Sequence, residues 1–260
     1  MRIKSSDLKM SHKLTVLPYL IKFTPKACNT LNAPPTSLNI YAFDLDHTLI
    51  EPLTPGSKFS RAADDWKFMS FTPGKSTFQK LIEIVREDPL AQIVIFSNQG
   101  GVVAVPPSSK SCTKYTEKIK LILRKLSEST DGDKLSERLW VYASPKRPAS
   151  MSLGKSKPKS KQPMITKYTK STKLTFDIDK ITNDIDVKQY ELFDVMRKPE
   201  IGMKDQFEQD LKSHFEVLPD VTWCYYCGDA AGRPKDFSDS DKEFAHKLGI
   251  SFKTPEELFT

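Results

Sequence analysis

The sequence predicts an α/β fold, a mostly parallel central sheet with helices on both faces, and three observations predict it. Short apolar runs recur along the chain, segments with helical periodicity separate them, and several runs end in small polar or acidic residues. Strand, helix and strand in that alternation make βαβ units, whose crossovers force neighbouring strands to lie parallel. Parallel sheets of this kind bind ligands beyond the carboxyl ends of their strands.

The elements follow in order. Tyr19–Phe23 reads as an edge strand, and Leu38–Asp44, Ile93–Ser97, Leu139–Ala143, Thr222–Asp229 and Gly249–Phe252 as the remaining strands. Phe78, Leu81, Ile82 and Val85 fall at helical spacing behind Ser76, a residue suited to an N-cap. Ile119, Ile122, Leu123 and Leu126 form a second helical stripe, and Met203, Phe207, Leu211 and Phe215 a third. Each stripe is a core face.

At 260 residues, with 38% hydrophobic and 10% aromatic side chains, the chain can bury the core of one full α/β domain. No apolar run approaches the roughly 20 residues needed to cross a bilayer, so no membrane role is expected. A formal charge of +7 and a pI near 9.0 favour polyanionic partners, nucleic acid first, although a solvated surface carries such charge equally well.

Cys28, Cys112, Cys224 and Cys227 are too few and too scattered for a disulfide framework, which fits a reducing compartment. Cys224 and Cys227 form a C-x-x-C inside an aromatic run with no second pair to complete a zinc site, so core packing is their expected role.

Residues 1–13 are basic, carry no apolar signal-peptide region and read as a flexible tail, leaving 14–260 as the folded domain. Within it, Lys146 to Lys173 holds nine basic residues and no acidic one, among repeated Ser and Pro. We read an insertion at about 146–174, either a solvated linker or a cationic arm for a phosphodiester backbone.

The chemistry begins at Tyr41-Ala-Phe-Asp-Leu-Asp-His-Thr, an apolar strand ending in two carboxylates. Residues i and i+2 of extended chain face one side, so Asp44 and Asp46 are expected to converge there. Two close carboxylates repel, and a divalent cation removes the repulsion. With charge neutralised, Asp44 can attack phosphorus while Asp46 protonates the departing alkoxide and later deprotonates water. Thr48 is placed to hold the turn through the backbone or Asp46.

A second run, Ile93-Val-Ile-Phe-Ser-Asn-Gln-Gly-Gly, brings Ser97 and Asn98 to a strand end as candidate phosphate contacts. Lys198, in Arg-Lys-Pro-x-x-Gly-Met just before a helix, supplies the cation that balances a transferring phosphoryl group. Arg197 and Lys204 read as surface charges. Asp229 follows Gly228 at another strand end and suits a hard, oxygen-liganded magnesium site, giving Asp44, Asp46 and Asp229 as the expected Mg2+ ligands. Asp236, Asp239 and Asp241 read as caps and solvated charges. Pro73-Gly-Lys-Ser-Thr imitates the end of a Walker A loop, but Met69 stands where its first Gly is required.

Asp44-Leu-Asp-His-Thr resembles the first motif of the haloacid-dehalogenase superfamily, in which the first Asp is the nucleophile and the second the acid/base. His47 stands where many relatives have Gly. Ser97 resembles the second motif and Lys-Pro-x-x-Gly-Met the third. Adding Asp65-Trp66, Ser97-Asn-Gln, Gly228-Asp-Ala-Ala-Gly-Arg and Lys235-Asp-Phe-Ser-Asp-Ser-Asp, the chain is similar to the phosphatase domain of the polynucleotide kinase 3′-phosphatase family over about residues 14 to 260.

That resemblance implies a Rossmann-like haloacid-dehalogenase fold and removal of 3′-phosphate from DNA strand-break ends, with Mg2+, in DNA repair. The chain has neither the motif nor the length for the kinase domain that some members carry. Only about forty-five residues separate Asp46 from the second strand, too few for a large cap domain, so a polymer end can reach the site. Lys146, Arg147 and Arg233 are the expected DNA contacts, and a monomer in the nucleus, with a mitochondrial fraction, the expected state. The alternative is a haloacid-dehalogenase-type phosphatase for a small phosphorylated metabolite.

Overall fold

The apolar runs assemble into one seven-stranded sheet of order β1-β2-β7-β6-β3-β8-β9. In the computed structural model, residues 11–26, 35–151, 190–215 and 219–260 are described. The strands are β1 (His12–Leu17), β2 (Leu20–Pro25), β3 (Ser37–Phe43), β6 (Ala91–Gln99), β7 (Leu139–Pro145), β8 (Asp220–Cys227) and β9 (Phe252–Lys253). From β7 across to β9 all pairings are parallel, and β1 and β2 add an antiparallel hairpin beside β7. A separate two-stranded ribbon, β4 (Ile50–Glu51) and β5 (Lys67–Phe68), follows β3.

Strand alternation sorts the core into two layers. Ile93, Ile95, Leu139 and Val141 face helices α1 (Thr77–Glu87), α2 (Lys110–Ser127) and α3 (Gly132–Ser136). Val94, Phe96, Trp140 and Tyr142 face α4 (Gly202–His214) and α5 (Ser240–Leu248). A short helix, α6 (Pro255–Phe259), closes the chain. Burying each such side chain is worth about 1.5–3 kcal/mol, so sheet and helices stabilise one another. The helical stripes are core faces as expected, except that Phe215 lies just past the end of α4 as its C-cap. The Ser76 backbone N–H donates to Gln79 Oε1 at 2.7 Å, as its expected place at the start of α1 requires.

The central strands differ from the sequence reading by one or two residues at their ends, and the edges of the sheet differ more. The sheet begins at His12, inside the expected tail, because His12 is buried with its Nε2 donating to the Leu139 carbonyl at 2.8 Å. Leu20–Pro25 is consequently an interior strand, with β1 outside it. The last strand is confined to Phe252–Lys253, since Gly249 sits at φ 66° as the left-handed C-cap of α5. The basic insertion lies outside the described residues beyond Met151. No helix among the described residues is long and apolar enough to cross a membrane.

Candidate active site

Register decides what meets at the carboxyl edge of the sheet. Phe43, the last residue of β3, pairs with Ile95 on one side and Cys227 on the other, and the Asp44 N–H donates to the Cys227 carbonyl at 2.8 Å. Asp44, the end of β6 with Ser97, and Gly228-Asp229 therefore come together, as the motifs predicted.

At the centre stands Lys198, whose side chain is 2% exposed. Its Nζ donates to Asp44 Oδ1, Asp241 Oδ1 and Tyr226 Oη, each at 2.7 Å. Three donors meet three acceptors, so the ammonium is fully satisfied. Asn98 fixes the backbone of the lysine. Its Nδ2 donates to the Lys198 carbonyl and its Oδ1 accepts from the Lys198 N–H, both at 2.9 Å. Asn98, expected as a phosphate contact, thus also clamps the backbone of Lys198. The motif glycine Gly202 is explained by crowding, because a Cβ there would stand 2.6 Å from the Val195 carbonyl oxygen.

The electrostatics follow from burial. Burial holds the Asp44 carboxyl well above the ordinary carboxylate range; Lys198 opposes the rise, while Asp241 and Asp229 add to it. Burial and the Asp241 charge push Asp229 up to about 6. Burial works against the Lys198 ammonium, but Asp241 and Asp44 outweigh it and raise its pKa. One oxygen from each of Asp44, Asp229 and Asp241 lies within 4.8 Å of the others. Three carboxylates face one ammonium, and hard oxygen donors with excess negative charge fit a divalent cation.

Asp46 departs from the expectation. The strand ends at Phe43 and the chain bends at Leu45, so the i, i+2 rule of extended backbone does not reach Asp46. Its side chain is held by Lys118 Nζ at 3.0 Å and Gln99 Nε2 at 2.7 Å, and the acidic cluster takes Asp241 in its place. Burial pushes the Asp46 pKa up, but Lys118 and the Gln99 amide outweigh it and hold the carboxyl below its ordinary value. The second amide hydrogen of Gln99 goes to Ser97 Oγ at 2.8 Å, leaving the buried Ser97 hydroxyl its own proton to donate.

Thr48 is fully buried and braces Asp229 rather than Asp46: its Oγ1 accepts from the Asp229 N–H at 3.1 Å. His47 adopts φ 63°, a conformation that favours glycine, and is tied by its N–H to the Ile50 carbonyl at 2.7 Å and by its Nε2 to the Lys58 carbonyl at 3.0 Å. Arg233 is engaged internally, with Asp236 at 2.9 Å, Glu256 at 3.2 Å and the Asp229 carbonyl at 3.2 Å, so it supports the loop of Asp229. Arg147 pairs with Asp194 at 3.2 Å and stacks on Tyr190, and Lys146 is exposed.

Asp241, Tyr226, Lys118 and Gln99 were missed as site residues. Asp241 packs against Gly228, where a Cβ would lie 2.5 Å from the Asp241 carboxylate carbon. A β-bulge between β3 and β8 positions Tyr226. It pairs Ile40 with Trp223 but Tyr41 with Tyr225, which turns Tyr226 onto the face of Lys198 and α5. Lys118 stands on the apolar face of α2 between Tyr115 and Ile122, where a lysine needs a reason.

A parallel sheet with acidic groups and a buried lysine gathered at its carboxyl edge defines an α/β protein with a strand-end site of the kind that handles phosphate. Residues 39–259 match the family model described as polynucleotide kinase 3 phosphatase. The chain is 48% identical to the polynucleotide 3′-phosphatase of Saccharomyces cerevisiae, over 96% of this chain and 99% of that protein. It is 46% identical to the polynucleotide 3′-phosphatase of Saccharomyces mikatae, over 99% of both. A bifunctional polynucleotide phosphatase/kinase of Schizosaccharomyces pombe is 28% identical over 84% of this chain but only 36% of its own length. The chain belongs to the polynucleotide kinase 3 phosphatase family.

Proposed function

We propose that this chain is a DNA 3′-phosphatase, removing the phosphate from 3′-ends at nicks, gaps and breaks so that repair synthesis and ligation can proceed. The observation that carries the reading is the buried Asp44–Lys198 pair, at 2.7 Å, with Asp229 and Asp241 beside it in a chain of this family. Asp44, Asp229 and Asp241 would hold Mg2+, which when bound offsets the negative charge that an incoming phosphate adds to theirs.

The rest is work for the side chains. An Asp44 carboxylate oxygen bonds to phosphorus as the P–O3′ bond breaks, and Asp46, having taken up a proton from solvent, gives it to O3′. Ser97 donates to a phosphoryl oxygen as charge shifts onto it, and the Lys198 ammonium, held by Asp44, Asp241 and Tyr226, offsets that charge from beside the nucleophile. Water then attacks phosphorus, gives its proton to Asp46, and frees inorganic phosphate and the Asp44 carboxylate. The net charge of +7 supports a polyanionic substrate, and exposed Lys146 remains a candidate backbone contact. We place the activity in the nucleus, with a mitochondrial fraction, in a monomer whose phosphatase domain spans essentially the whole chain from β1 onward.

A 3′-phosphorylated oligonucleotide and a small phosphomonoester, each with and without Mg2+, provide the test. Preference for the oligonucleotide and dependence on the ion are expected. Equal efficiency on both substrates would return the site to small-metabolite chemistry.

A further inference from the structure

We infer that Lys118 and Gln99 are positioning residues for the leaving-group step, acting by fixing the Asp46 carboxylate; the inference rests on the phosphatase reading above. Lys118 Nζ binds Oδ1 at 3.0 Å and Gln99 Nε2 binds Oδ2 at 2.7 Å, so each oxygen of Asp46 has its own anchor. The anchors are buried, with Lys118 8% exposed, whereas 39% of the Asp46 side chain remains open. The carboxyl is held from behind and free in front, as a group that exchanges a proton with an arriving substrate must be.

The anchors are themselves placed by the fold. Lys118 lies on the third turn of α2, its ammonium 5.7 Å from the centroid of the Tyr115 ring, and helix packing fixes it through Tyr115, Ile119 and Ile122. Gln99 ends β6 and uses its other amide hydrogen on Ser97 Oγ at 2.8 Å. One amide thus sets the spacing between the serine and Asp46. Lys198 has no part in this, since its three donors are taken by Asp44, Asp241 and Tyr226. The site therefore uses two lysines with separate tasks, and the second came from a helix that the motifs do not include.

Proton transfer needs the Asp46 oxygen within hydrogen-bond reach of O3′, in either direction of transfer. Asp46 first takes up a proton from solvent; the step then breaks P–O3′, forms the Asp44–phosphorus bond and moves that proton to O3′, and the later attack of water returns one to Asp46. A leaving alkoxide requires that proton, while p-nitrophenolate leaves as a stable anion without it. Loss of the anchors must therefore penalise alkyl phosphates selectively.

The test measures kcat/KM, which covers steps through departure of the leaving group, for a 3′-phosphorylated oligonucleotide, glycerol 2-phosphate and p-nitrophenyl phosphate. Lys118→Met should lower the first two by about 10²- to 10³-fold and the third by less than about 10-fold. Lys118→Arg, which restores a cation, should recover most of the loss. Gln99→Met should show the same selectivity with a smaller amplitude and decides the matter should Lys118→Met fail to fold. Equal losses on alkyl and aryl substrates, or unchanged alkyl turnover in both variants, would overturn the inference. A wild-type protein that hydrolyses glycerol 2-phosphate as well as the oligonucleotide would instead strike at the DNA reading and leave the alkyl-to-aryl comparison standing.

Discussion

The two lysine–aspartate pairs at the carboxyl edge face opposite problems. Lys198 and its partners are almost wholly buried, and the cluster holds more carboxylates than cations. Lys118 and Asp46 form one balanced pair with the acid half open to water. Taking charges out of water costs several kcal/mol per ion, returned only when every donor and acceptor is matched. The first pair is therefore stable only as part of a complete set, while the second can act on a substrate without unsettling the fold. The molecule separates charge that must stay from charge that must move.

The largest effect should come from removing the nucleophile. Asp44→Ala should abolish turnover, by more than about 10⁴-fold, while retained oligonucleotide binding shows that the loss is chemical. Residual activity near wild type would remove Asp44 from the first step. Lys198→Met leaves neighbouring carboxylates buried without a cation and should destabilise by about 3–5 kcal/mol in urea unfolding, against about 1 kcal/mol for Lys118→Met. Similar costs for both would dissolve the contrast between closed and open pairs.

Metal sharpens the comparison further. Mg2+ at a hundredfold excess over its dissociation constant should stabilise the wild type by about 2.7 kcal/mol. Asp241→Asn should lose most of that gain in a thermal-shift titration, whereas Asp46→Asn should keep it, since Asp46 stands outside the cluster. A reversed pattern would reinstate Asp46 as the third ligand.

His12 lies outside both pairs and gives the smallest effect at working pH. Burial, helped by the Lys26 charge and opposed by the bond to the Leu139 carbonyl, lowers its pKa from 6.5 to about 4. The unfolded chain therefore binds more protons between those values, so the contribution is constant above pH 6.5 and stability falls as pH drops toward 4. The total is about 3 kcal/mol, and His12→Gln should remove that part of the pH dependence. Parallel stability–pH curves for the two proteins would contradict a buried neutral imidazole.

Much of this was legible in the residues. The apolar runs and helical stripes specify the sheet and its two helical layers, because burial on both faces writes itself as unbroken hydrophobic sequence. Asp44, Ser97, Lys198 and Asp229 could be read because each sits where a strand or helix begins or ends. Asp241 could not: one acid among Asp236, Asp239 and Asp241 is singled out only by the turn that buries it against Gly228. The bulge at Cys224 was equally hidden, since Trp223-Cys-Tyr-Tyr-Cys is apolar on both faces and shows no break in alternation. Lys118 needed the sheet and α2 in place before its partner appeared.

The glycine at 228 has a consequence for how this protein can change. With its neighbour's carboxylate carbon only 2.5 Å from where a methyl would sit, even alanine would push away the group that shares the central ammonium. One added carbon, bearing no charge and touching no substrate, would thereby reach the attacking oxygen through two hydrogen bonds. Tolerance to substitution here is set by volume rather than polarity, and it is narrowest at the smallest residue in the loop.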